Sequence, residues 1–183
     1  MMSEYMKKYG CLALLICGGM TFQARAADST QVTFNMSVPN PTCNINITGG
    51  GISDRGVISL GELKRSGTDE QHNSFEITGH CNSYVGPSGN YINASVIRGG
   101  QLLNDNVRIA VKMDSNPVNT TAGPFLKLKE NNADVKLDGT TKFCKSGSDG
   151  NIRCTLTPYT NVQAGAPAGS GSAVVQFTVH YSV

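Results

Sequence analysis

The chain has 183 residues, enough for one ordinary domain. Only 15% of them are charged, Gly reaches 21 and Trp is absent, a composition that disfavours a helical bundle or a coiled coil. A formal charge of +2 gives no footing for a basic nucleic-acid binder.

In chain order, the first 26 residues read as an address rather than as structure. Lys7 and Lys8 precede the apolar run Cys11 to Cys17, and Ala24-Arg25-Ala26 places small residues one and three positions before a cut. The apolar run is about half the roughly 20 residues that a membrane span needs. The reading is a secretory signal peptide over 1–26, with the mature chain starting at Ala27. Bulky Ile16 argues against a lipidated Cys17. Cleavage takes basic residues from 15 to 12 and acidic ones from 13 to 12, so the mature chain is formally neutral and no nucleic-acid partner is expected.

Cys11 and Cys17 leave with the signal, and Cys43, Cys81, Cys144 and Cys154 remain. An even number in an exported chain predicts two disulfides, with three connectivities open. Cys43–Cys81 with Cys144–Cys154 is preferred, because the second pair brackets the turn-rich stretch 145–151. In the chain-entropy account these closures contribute roughly 4 and 3 kcal/mol. No pair has metal-ligand spacing, so no metal is expected.

From residue 32 onward the dominant period is two. Val32, Phe34, Met36 and Val38 alternate with polar residues before Pro39-Asn40-Pro41 breaks the run. Further strands are predicted over 44–48, 57–60, 74–81, 91–97, 107–113, 125–128, 152–158 and 173–183, punctuated by Gly, Asn or Asp. No window keeps the 3.6 period. The predicted class is all-β, and short strands at this spacing suggest a sandwich.

Four segments carry a resemblance to the pilin subunits of bacterial chaperone-usher fimbriae, such as type 1 and P pili. QVTFNMSVPNPTC (31–43) resembles the N-terminal extension and first strand leading to the family's first cysteine. VISLGEL (57–63) is similar to a strand ending in an aliphatic-Gly pair, and FEITGHC (75–81) to the strand ending in the second cysteine. AGSGSAVVQFTVHY (168–181) resembles the C-terminal signature with its penultimate Tyr.

The resemblance implies an incomplete immunoglobulin-like β-sandwich, lacking its seventh strand and completed by a donated one. It divides the chain into a signal peptide (1–26), a donor-strand extension (27–41) and a pilin domain (42–183). A periplasmic chaperone would lend a strand. At the outer-membrane usher, the extension of the next subunit would replace it, giving a head-to-tail polymer of neighbouring pilin subunits on the cell surface that supports adhesion. Val32, Phe34, Met36 and Val38 would be the donor side chains, worth about 6 to 12 kcal/mol gross on full burial. Ala173, Val175, Phe177, Val179 and Tyr181 would line the acceptor groove and pair with the chaperone. Two departures stand out: Met36 occupies the place where the donor strand usually has Gly, which points to a minor or adaptor subunit, and Ser182-Val183 follow Tyr181 where one residue is usual.

Catalytic signatures are missing. His72, His80 and His180 are scattered, Asp69-Glu70 with His72 reads as a solvated loop, and there is no GxSxG, HExxH or phosphate-cradling loop. No enzyme activity and no cofactor are expected. The alternative function is a single-domain fimbrial adhesin binding host carbohydrate, with Tyr84, Tyr91 and Tyr159 as stacking candidates. The 157 residues left after cleavage (183 minus 26) leave room for one sandwich, without a separate lectin domain.

Overall fold

A computed structural model describes residues 43–53, 56–81, 89–114 and 116–180. The expected signal peptide, the donor residues Val32, Phe34, Met36 and Val38, and Tyr84 and Tyr181 lie outside the described residues. Among the described residues all regular structure is β, in ten strands: β1 (Cys43–Gly49), β2 (Glu70–Gln71), β3 (Phe75–Cys81), β4 (Tyr91–Arg98), β5 (Gly100–Leu102), β6 (Ile109–Val111), β7 (Phe125–Glu130), β8 (Ala133–Asp134), β9 (Asn151–Asn161) and β10 (Val174–His180).

Every pairing is antiparallel. The large sheet runs β1-β3-β9-β7-β6-β5, with β2 beside β9 and β8 beside β7, and the small sheet is β10 on β4. Period two decides which side chains meet between them. In β9, Ile152, Cys154 and Leu156 are buried while Asn151, Arg153 and Thr155 face water. Phe75 and Ile77 of β3, Ile109 of β6 and Leu128 of β7 join them, and Ile92 and Ala94 of β4 close the same core from the small sheet.

The chain changes sheet at glycine. β4 ends at Arg98, Gly99 takes φ +81°, and β5 starts at Gly100 against β6 of the large sheet. A Cβ at Gly99 would lie 2.0 Å from the Ser172 carbonyl oxygen, and one at Gly100 2.5 Å from Ile109 Cγ2. Only glycine permits so close a crossing.

Three differences from the sequence expectation have local causes. The predicted strand 57–60 is not formed. Its residues bond to their own turn instead, with the Ser53 amide donating to the Val57 carbonyl at 2.9 Å and the Val57 amide to Ser53 Oγ at 3.3 Å. The predicted strand 107–113 shrinks to Ile109–Val111, because Asp105 Oδ1 accepts the amides of Val107 and Arg108 in the turn that closes the β5–β6 hairpin. β2 forms at Glu70–Gln71, where a loop was expected, and a split separates it from β3 at the predicted strand 74–81, the registers of the two on β9 differing by one residue. The split faces Pro158: its carbonyl accepts from the His72 amide at 3.0 Å, but proline has no N–H to return.

Candidate strand-acceptor site

β10 packs on β4 in the register Val175↔Val96, Phe177↔Ala94 and Val179↔Ile92, with a bulge between Val174 and Val175. Alternation turns Val175, Phe177 and Val179 toward the core and leaves Val174, Gln176 and Thr178 exposed. Ala173, just before the strand, packs against the core as well. The Phe177 ring lies 6.1 Å from that of Phe75 and 6.4 Å from that of Phe143. Yet these inward-facing side chains are only half-buried, whereas Ile92 and Ala94 beside them on β4 are fully buried.

The reason is topological. Among the described residues β10 has one ladder neighbour, β4, and its other edge carries no described strand. Ile58 packs against the same core from the segment 57–60, which makes no ladder of its own, and Val57 beside it is 59% exposed. Apolar side chains over the core, next to a strand edge that pairs with no described strand, form a site that a further β-strand can enter. The structure therefore brings Ala173, Val175, Phe177 and Val179 against the core, and adds Phe75 and Phe143 to their surroundings. Phe143 was not legible as part of this site, because Lys142-Phe143-Cys144 shows no alternation.

The four cysteines pair as Cys43–Cys81 and Cys144–Cys154. Glu130 has a carboxylate oxygen near Cys144 and Cys154, the one such grouping of possible metal ligands among the described residues, but both sulfurs are consumed by the disulfide. The cluster at 69–72 is not the solvated loop of the sequence reading. Glu70 and Gln71 form β2, Lys127 Nζ stands 2.5 Å from Asp69 Oδ2 and holds that carboxyl below its usual range, and His72 Nε2 meets Thr160 Oγ1 at 2.7 Å. Asp69 and His72 are each bonded to a neighbouring strand rather than gathered around a shared centre.

The two described tyrosines proposed for sugar stacking, Tyr91 and Tyr159, are engaged. Tyr91 stacks on His180 with centroids 5.1 Å apart and has Lys142 Nζ at 4.1 Å over its ring. Tyr159 donates its hydroxyl to Gln71 Oε1 at 2.9 Å and lies 5.1 Å beneath Lys129 Nζ.

No protein-family model matches the sequence, and no curated protein matches it. Solved structures do. A chain from the structure of a chaperone-usher pilus, concerned with rod uncoiling, is 20% identical, with a TM-score of 0.53 over 85% of this chain and 97% of that one. The crystal structure of the P pilus rod subunit PapA is 18% identical, with a TM-score of 0.51 over 83% of this chain and all of that one. The two-sheet, all-β arrangement described above is thus the immunoglobulin-like fold of chaperone-usher pilus subunits.

Proposed function

We propose that this chain is a structural subunit of a bacterial fimbria, assembled by donor-strand exchange through a periplasmic chaperone and an outer-membrane usher. The observation that carries the reading is the state of β10: an apolar face over the core, half-buried, on a strand with one described neighbour. The shared fold with pilus rod subunits supports it. In this reading residues 1–26 are removed on export, 27–41 form the donor extension and 42–183 the acceptor domain. Ala173, Val175, Phe177, Val179 and Tyr181 receive a strand from the chaperone and then from the next subunit, to which Val32, Phe34, Met36 and Val38 are the matching donors. The contact is head-to-tail and does not close, so copies extend into a filament on the cell surface that supports adhesion. Met36 in place of the usual small residue makes this a minor or adaptor subunit, fitted to a particular neighbour. The role is structural, with no catalytic step.

Deletion of residues 27–38 tests the reading. Co-expressed with its chaperone, the shortened chain should still fold and form the chaperone complex but fail to cap a preceding subunit. Capping at the full-length rate by the shortened chain, measured by native electrophoresis of joined subunits, would overturn it.

A further inference from the structure

The two disulfides do different mechanical work. Cys43 and Cys81 are directly paired residues of neighbouring strands β1 and β3, with Cα atoms 4.1 Å apart, so this link lies within the large sheet. Cys144 follows a segment that bridges the small sheet, and Cys154 lies in the large one. Phe143 bridges Ile92 of β4 through two backbone bonds of 2.9 and 3.0 Å, and Asp138 bridges Ser95, so 138–143 runs along the edge of β4 away from β10. Cys144 follows at once, and its partner Cys154 lies in β9, paired with Ile77 of β3. This disulfide ties the segment beside β4 to β9, with Cα atoms 5.7 Å apart and both residues 5% exposed.

Its position along the small sheet matters more. At the Arg98–Val174 end, β4 runs through Gly99 directly into β5, and the approach to β10 is fastened to the large sheet. Met113 bridges Gly171, the Asp114 amide donates to the Ser170 carbonyl at 2.8 Å, and the Ser170 amide donates to Asp114 Oδ2 at 2.6 Å. The opposite end is where Tyr91 pairs His180 and Ile92 pairs Val179. There Cys144–Cys154 closes the short turn that joins the sheets: the Ser146 amide donates to the Asn90 carbonyl at 2.8 Å, the Asn90 amide to Ser146 Oγ at 2.9 Å, and the Gly147 amide to the Asn151 carbonyl of β9 at 3.0 Å.

We propose that Cys144–Cys154 is a brace that holds the far end of the small sheet on the large one before a donated strand pairs with β10. A third strand on β10 would bury Val175, Phe177 and Val179 and hold that end by packing. Before it arrives, the disulfide keeps β10 aligned to receive it. The brace rests on geometry in this chain; only the role of the incoming strand rests on the donor-strand reading.

Hydrogen exchange of backbone amides tests it, comparing the oxidised mature chain with its Cys144→Ala/Cys154→Ala and Cys43→Ala/Cys81→Ala variants. In the first variant, amides at 92–94 and 177–180 should exchange roughly 10- to 100-fold faster than in the parent, with those at 95–98 and 174–176 changed by less than about threefold. The second variant should not show this end-specific loss. Equal acceleration at both ends, or none, overturns the proposal. If Cys144→Ala/Cys154→Ala does not accumulate, pulse labelling of the Cys43→Ala/Cys81→Ala chain just after thiol reduction gives the same comparison. Appending a second copy of residues 27–41 behind Val183 by a Gly/Ser linker should restore the far-end protection. If the appended strand adds none to β10 even in the parent, the donor-strand reading fails, and the brace is still judged on the first comparison.

Discussion

Gly99 shows how much one residue can decide. Its φ of +81° is one that L side chains rarely adopt, and an added Cβ would stand 2.0 Å from the Ser172 carbonyl oxygen. Gly51 has a similar φ of +71° but nothing within 4 Å of such an atom. Gly99→Ala should therefore cost more than the roughly 1–2 kcal/mol of the left-handed backbone alone, because the approach to β10 must move. Gly51→Ala should cost about 1 kcal/mol. Denaturant unfolding of both variants measures the difference, and equal losses would show that the crossing is not tight. Gly99-Gly100 reads in the sequence only as punctuation between apolar runs. That Ser172 lies against it depends on a contact 73 positions away, which no local pattern encodes.

Among the elements, the weakest ladder near the candidate site is the irregular segment 138–143 beside β4, and Asp138 organises it. The Thr141 amide donates to Asp138 Oδ1 at 2.7 Å, the Thr141 hydroxyl to Oδ2 at 2.7 Å and the Thr140 amide to Oδ1 at 2.8 Å, and together they hold the carboxyl well below the usual range. A carboxyl pKa depressed by folding adds stability that is present above the unfolded value, about 3.9, and is lost as the pH falls through the folded one. The unfolding midpoint should therefore drop on acidification below about pH 4. Asp138→Asn should start lower at pH 7 and show a shallower acid decline, checked by urea melts from pH 2 to 7. An unchanged acid decline would assign it to other groups. Strand existence was legible wherever period two ran unbroken, as in β3, β9 and β10. It was misleading at 57–60, where Ser53 offers the backbone a local partner, and silent at 138–143, whose pairing with β4 comes from the tertiary fold.

At the scale of the whole molecule, the question is which neighbour the extension fits. Met36 would put a flexible, bulky side chain where two strands come closest. Met36→Gly should raise the rate of joining to a generic major subunit and lower it for the chain's own neighbour, measured by strand-exchange assays with each. No change with either partner would remove the case for an adaptor role. The amino-acid sequence by itself determined the all-β class and the inward side chains of the last strand, because these depend on composition and on a period of two. The pairing of the cysteines it could rank but not decide, since three connectivities share one spacing. Only the tertiary structure determined that β10 has β4 on one side and no described strand on the other, and that Cys144–Cys154 ties the segment beside β4 to β9. The physical reason is that sheet order and long-range contacts are properties of strands far apart in the chain, and hydrophobic alternation is the same for a strand at an edge as for one in the middle.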